Sequence, residues 1–277
     1  MTTPLTTGTA QPRDSISTAI KDAAASGRPA VVGFMTAGFP DRAHFTQNLR
    51  AIATEADVVE IGVPFSDPMA DGATIQRASF ASLQGGFTLR WLLDELETMQ
   101  PRPQAPVLLM SYLNPLLAFG LERLPEVARK AGVSGFIIPD LPYEESADMR
   151  AALDRVGIAL VQMVTPVTPD ARLKMLCAAS QGFVYAVTMT GTTGKSVAVP
   201  DEVLDYMDRV KALSPAPVCA GFGIRTAEQV TRMQGHVDGV VVGSALVELV
   251  ARHGADAAGP VREATRALAE AVRTARG

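Results

Sequence analysis

One phrase recurs along this chain of 277 residues and restricts its fold more than any other feature. It is a short apolar run, a polar or glycine-bearing loop, then an amphipathic helical pattern. The apolar runs are Ala30–Met35, Val58–Ile61, Val107–Met110, Gly135–Ile138, Ala159–Val164, Phe183–Val187, Val218–Ala220 and Gly239–Val242. They do not alternate strictly between apolar and polar residues, which suits strands covered on both faces. Helical periodicity lies between them at His44–Thr54, Leu89–Met99, Leu121–Lys130, Glu144–Arg155, Ala171–Ala179, Glu202–Leu213 and Ala227–Met233. Asp41, Thr88, Asp170 and Thr226 stand where N-caps belong, because their side-chain oxygens can accept backbone N–H groups left without a helical partner.

Eight strands with seven intervening helices predict a closed TIM (β/α)8 barrel, one domain spanning residues 1–277. An open doubly wound sheet is the rival, but eight near-equivalent units leave it no hydrophilic edge strand. Residues 1–13 read as a flexible tail. An extra N-terminal helix is expected over Ile16–Ser26, and a C-terminal closing helix over Ala257–Arg273.

Composition narrows the function. A hydrophobic fraction of 47% supports a large core and excludes a disordered or disulfide-held chain. A net charge of −4 with no basic cluster argues against nucleic acid as a partner. Cys177 and Cys219 fall in core elements, and His44, His236 and His253 are scattered, so no metal site is expected. The first eleven residues contain no apolar core of a signal peptide, and no apolar run reaches the ~18 residues of a membrane span. A cytoplasmic protein without membrane contact is the expectation.

Chemistry concentrates after the second run. With a period of two, Val58 and Glu60 share one strand face while Val59 and Ile61 share the other. Glu60 therefore ends its strand either inside the barrel mouth or under a helix. Both places are poorly hydrated and raise a carboxyl pKa, which suits a group that delivers and recovers a proton. The alternative is a structural Glu that pairs with an Arg or caps a helix. Asp67 and Asp71 follow in a loop stiffened by Pro64 and Pro68. Asp71 is far enough along to fold back over the mouth, although either aspartate could serve only an Asx turn. Tyr185 is a core filler or a hydroxyl donor near the mouth. Tyr112, Asn114 and Asp140, at the ends of the third and fourth strands, suit loop-fixing roles.

Two glycine-bearing turns, Ala220-Gly-Phe-Gly-Ile and Val242-Gly-Ser-Ala, follow the seventh and eighth strands. Backbone N–H groups there, with a short helix beginning at Ser244, can cradle a phosphate, a recurrent site in such barrels. Glycine after a strand is equally a plain tight turn. The segment Gly191-Thr-Thr-Gly-Lys-Ser is not a nucleotide-binding P-loop, because Met189 occupies the position of its first glycine. The stretch from Thr188 to Val197 reads instead as a lid, or as a solvent loop.

Several separated blocks together resemble the tryptophan synthase alpha subunit family. They are Phe34-Met-Thr-Ala-Gly, Glu60-Ile-Gly-Val-Pro-Phe-Ser-Asp-Pro-Met-Ala-Asp-Gly, Leu109-Met-Ser-Tyr-Leu-Asn-Pro, Pro139-Asp-Leu-Pro, Gly191-Thr-Thr-Gly, Gly221-Phe-Gly-Ile and Gly243-Ser-Ala. The resemblance implies retro-aldol cleavage of indole-3-glycerol phosphate to indole and glyceraldehyde 3-phosphate. It implies Glu60 as the proton-transfer residue, Asp71 as the partner of the indole N–H, and Tyr185 near the substrate. Phe34 and Phe222 would line the site, Gly194, Gly223, Gly243 and Ser244 would hold the phosphate, and Thr193 would close the lid. It also implies a beta subunit carrying pyridoxal phosphate, an alpha2-beta2 complex, no cofactor in this chain, and Asp67, Pro68 and Asn114 at the partner surface. The chain departs from the family pattern at Thr192, where a hydrophobic residue is usual, and at Lys195-Ser196. A stand-alone lyase releasing free indole, and a regulatory barrel that only binds a phosphate ligand, are the alternatives.

Overall fold

The structure is a computed structural model that describes residues 11–188, 199–221 and 223–271. Eight strands pair in sequence order, all parallel, and the last closes on the first. They are β1 (Ala30–Thr36), β2 (Val58–Gly62), β3 (Val107–Met110), β4 (Val133–Ile137), β5 (Ala159–Val164), β6 (Val184–Val187), β7 (Val218–Gly221) and β8 (Gly239–Val242). The helices are α1 (Pro12–Ala25), α2 (Phe45–Ala53), α3 (Ala73–Gln84), α4 (Leu89–Thr98), α5 (Leu113–Phe119), α6 (Leu124–Lys130), α7 (Ala147–Arg155), α8 (Asp170–Ala179), α9 (Asp201–Leu213), α10 (Ala227–Met233), α11 (Ser244–His253) and α12 (Ala258–Glu270).

Strand alternation divides the core into two layers. Val32, Phe34, Val58, Leu108, Val161, Tyr185, Cys219 and Val241 fill the barrel interior. Val31, Met35, Val59, Ile61, Leu109, Leu160, Val184 and Val240 pack outward against the helices. Ile16, Ile20 and Ala23 of α1 join the interior set, so this helix plugs the barrel at the N-terminal ends of the strands. Ile16 reaches in so far that a Cβ on Gly135 would stand 3.0 Å from its Cδ1. Pro12 opens α1 four residues ahead of the expected Ile16; its missing N–H costs nothing in a first turn. Pro12 and Arg13, expected in the tail, are thus helical, while residues 1–10 lie outside the described residues.

A repeated aspartate completes the strand ladder. Asp57, just ahead of β2, accepts the Val31 N–H of β1 at 2.8 Å and pairs with Arg28 at 2.6 and 2.7 Å. Asp238, just ahead of β8, accepts the Val218 N–H of β7 at 2.8 Å. Thr88 and Thr226 cap α4 and α10 as their positions predict, accepting from Trp91 at 3.1 Å and Gln229 at 3.4 Å. Asp170 is the first residue of α8, after Pro169, rather than its cap; a carboxylate there still favours the positive end of the helix. Asp41 accepts the His44 N–H at 3.0 Å, and His44 is the N-cap of α2.

Candidate active site

The site grows from one strand register. Phe34, Glu60 and Leu108 lie abreast across β1, β2 and β3, all on the interior face. Glu60 is 1% exposed, and neither carboxyl oxygen has a hydrogen-bond partner among the described residues. Among those residues it neither pairs with an Arg nor caps a helix. Burial, and secondarily the negative charge of Asp71, raise its pKa to about 8, so the group is neutral at pH 7.

Asp71 comes from the loop between β2 and α3. That loop is folded by its own hydrogen bonds: Asp71 N–H to the Pro68 carbonyl at 3.2 Å, and the Gln76 amide to the Asp71 carbonyl at 2.9 Å. Burial raises the Asp71 pKa to about 6, against the opposing pull of the Tyr112 hydroxyl. At pH 7 it is an anion beside a neutral acid. Two carboxyl groups whose surroundings separate their pKa values in this way can serve as one proton donor and one electrostatic stabiliser.

Tyr185 joins them from β6. It is 4% exposed, and burial with the charges of Glu60 and Asp71 drives its hydroxyl well above the usual range, so it stays protonated. Its ring occupies the space over Gly221, where a Cβ would stand 2.2 Å from Cε1 and 2.4 Å from Oη. Phe34 extends across β2 in the same manner: a Cβ on Gly62 would stand 2.5 Å from its Cζ. The other edge of the Phe34 ring lies beside Gly243, 3.5 Å from where a Cβ would be. Thus the aromatic wall connects the carboxyl pair to the start of α11.

Gly243 is the N-cap of α11 and Ser244 its first residue, as the turn sequence predicts. The first-turn N–H groups of a helix lack intrahelical acceptors and can receive an anion. Gly223, in the turn after β7, has φ +91°, which favours glycine. Thr188 binds back to the Gly221 carbonyl through its N–H at 2.9 Å and its hydroxyl at 3.0 Å. Thr193, Gly194 and Phe222, with the expected lid after Thr188, lie outside the described residues.

Asp67 and Asn114 are exposed and Pro68 is half-buried. The first and third belong to the Asp71 loop, whereas Asn114 lies in the first turn of α5. The Ala70 N–H donates to the Tyr112 hydroxyl at 2.8 Å and joins these two segments into one rim, where Met69 and Leu117 are also exposed. Asp140 fixes the start of α5 by accepting the Leu113 N–H at 2.8 Å. Two features escaped the sequence reading: the contact between Tyr112 and Asp71, and the Thr36 hydroxyl, which is buried without a partner among the described residues. A phenol two residues past a strand end was the available signal for the first.

Among the described residues no group of three or more His, Cys, Asp or Glu side chains could hold a metal ion. Nor is any described helix long and apolar enough to cross a membrane.

A family model for the tryptophan synthase alpha chain matches residues 20–275. The tryptophan synthase alpha chain of Nitratidesulfovibrio vulgaris is 43% identical over 252 residues, covering 91% of this chain and 96% of that protein. That of Novosphingobium aromaticivorans is 44% identical over 261 residues, covering 94% and 98%. Among solved structures, a chain of the tryptophan synthase a2b2 complex from Pyrococcus furiosus superposes with a TM-score of 0.82 at 33% identity, covering 87% of this chain and 98% of that one. A chain of tryptophan synthase from M. tuberculosis gives 0.83 at 32% identity, covering 93% and 98%.

Proposed function

Because the chain belongs to the tryptophan synthase alpha chain family, we propose that it splits indole-3-glycerol phosphate into indole and glyceraldehyde 3-phosphate, as the alpha subunit of an alpha2-beta2 complex. The observation that carries the chemistry is the Glu60 carboxyl, buried and without a hydrogen-bond partner among the described residues, in a place that favours its neutral form beside the more acidic Asp71.

The carbon–carbon bond breaks only when indole C3 can accept its electrons. Glu60 gives its proton to C3, leaving positive character on N1, and the Asp71 carboxylate accepts the N1–H and stabilises that charge. The bond from C3 to the side chain then breaks and its electron pair restores the neutral indole. The hydroxyl on the departing carbon loses its proton to Glu60 and becomes the aldehyde. One proton leaves Glu60 and one returns, so the group is regenerated. Tyr185 supplies a protonated hydroxyl at the same opening. The phosphate, held by Gly223, Gly243, Ser244 and Gly194, anchors the far end, and Phe34 with Phe222 lines the path between. Remote binding of this kind positions the small reacting part. Thr193 closes the lid toward the Asp71 loop.

These steps are proton transfers that side chains carry, so no cofactor is assigned to this chain. Pyridoxal phosphate belongs to the beta subunit, which docks on the rim of Asp67, Pro68 and Asn114. The chain works as one barrel domain, and its two free, buried cysteines suit a reducing cytoplasm. No observation favours a free-standing lyase or a regulatory barrel. Steady-state cleavage of indole-3-glycerol phosphate, by the chain alone and with a beta subunit, is the test. Indole should form in both, faster in the complex, and Glu60→Gln should bind glyceraldehyde 3-phosphate normally with turnover nearly abolished. No indole from either preparation would defeat the proposal.

A further inference from the structure

We propose that Tyr112 is a positioning residue that latches the Asp71 loop over the barrel mouth and aims the Asp71 carboxylate at the indole nitrogen. The inference rests on the reading of Asp71 given above. Its geometric basis is a run of polar contacts across three separate segments. Tyr112 leaves β3 and is the N-cap of α5. Its backbone is held on both sides, by the Ser111 hydroxyl donating to its carbonyl at 2.9 Å and by Asp140 accepting the next N–H, that of Leu113, at 2.8 Å. The side chain is 4% exposed, and its ring packs on Phe65 with centroids 5.2 Å apart. Little freedom is left to the phenol.

The hydroxyl accepts the Ala70 N–H at 2.8 Å, which directs its own proton elsewhere. The next residue is Asp71, whose carboxyl the hydroxyl faces and whose charged form it favours. One oxygen thus serves consecutive residues of the loop, accepting from the first and turning its proton toward the carboxylate of the second. Without it, the bonds that hold the loop tip among the described residues are its internal ones to Pro68 and Gln76. Among the described residues, the groups facing Asp71 are Glu60 from β2, Tyr185 from β6 and Tyr112 at the N-cap of α5; Asp140 bears on Tyr112 from beyond β4. Of these, Tyr112 is the one that draws Asp71 toward the anion, against the desolvation that raises it.

Tyr112→Phe tests this, since it keeps the ring on Phe65 and removes only the hydroxyl. Assayed in the complex with a beta subunit, the variant should lose about 10- to 100-fold in kcat, the loss expected for one hydrogen bond to a charged group. The acidic limb of its rate profile should move to higher pH, because Asp71 loses the donor that favours its charge. Affinity for glyceraldehyde 3-phosphate, which has no indole, should stay unchanged. Wild-type kcat with an unmoved acidic limb would overturn the latch while leaving the proposed reaction intact. Weakened glyceraldehyde 3-phosphate binding without a pH shift would also overturn it, by showing a general disturbance of the mouth. Absence of cleavage by the wild-type complex would instead defeat the reading of the reaction itself.

Discussion

Keeping Glu60 neutral should cost the folded chain stability in a way that depends on pH, and Glu60→Gln isolates that cost. The unfolded carboxyl ionises near 4.5, whereas the folded one holds its proton up to about 8. Below 4.5 both states carry the proton and the group is indifferent to folding. As pH rises past 4.5, the unfolded state gains the free energy of ionisation and the folded state does not, so stability falls until the folded group ionises too. At about 1.4 kcal/mol per pH unit over that window, the loss is ~3 kcal/mol by pH 7 and levels off at ~4–5 kcal/mol above pH 8. Glutamine is as buried but does not titrate, so whatever its packing costs is the same at every pH. Urea unfolding of both proteins should therefore show the stability of Glu60→Gln relative to wild type improving by ~3 kcal/mol between pH 5 and pH 8, equivalent to about 1–3 M in midpoint. A difference that stays constant across that range would refute the claim that this carboxyl is buried in its neutral form.

Three further outcomes follow from the same geometry. In the free enzyme the productive state has Asp71 ionised and Glu60 protonated, so kcat/KM should rise through pH about 6 and fall beyond about 8; a flat profile between pH 5 and 9 contradicts the pair. Gly221→Ala places a Cβ within 2.4 Å of three Tyr185 ring and hydroxyl atoms, so Tyr185 must leave its position. Turnover should drop at least ~10-fold with the barrel still folded by circular dichroism. Ile16→Ala removes the tip of the plug at the closed end and should cost ~2–5 kcal/mol in denaturant unfolding, with kcat of the folded fraction unchanged.

The barrel was legible because each strand is buried on both faces and reads as a mainly apolar run. For the same reason the side on which Glu60 points was not. Period two pairs it with Val58, but both faces of β2 are apolar, and only closure of the sheet settles that Val58 faces inward. Helix α3 left no periodic trace, since it buries only Ala78, Ser79 and Ser82 and exposes Phe80. At seven residues, α5 is too short for a pattern to accumulate. The start of α11 was visible from Gly243-Ser244 because a turn glycine ahead of an apolar stretch is a local signal. The Tyr112 bond to Ala70 joins residues 42 apart and has no counterpart in local spacing. Residues that act through long-range contact were therefore the ones least visible in advance.

Infrared difference spectroscopy, wild type minus Glu60→Gln, reads the protonation of this single side chain. A protonated carboxyl stretch should be present at pH 7 and disappear with a midpoint near 8. A carboxylate band already present at pH 6 would contradict the account, because an ionised Glu60 has no proton to give to the indole carbon.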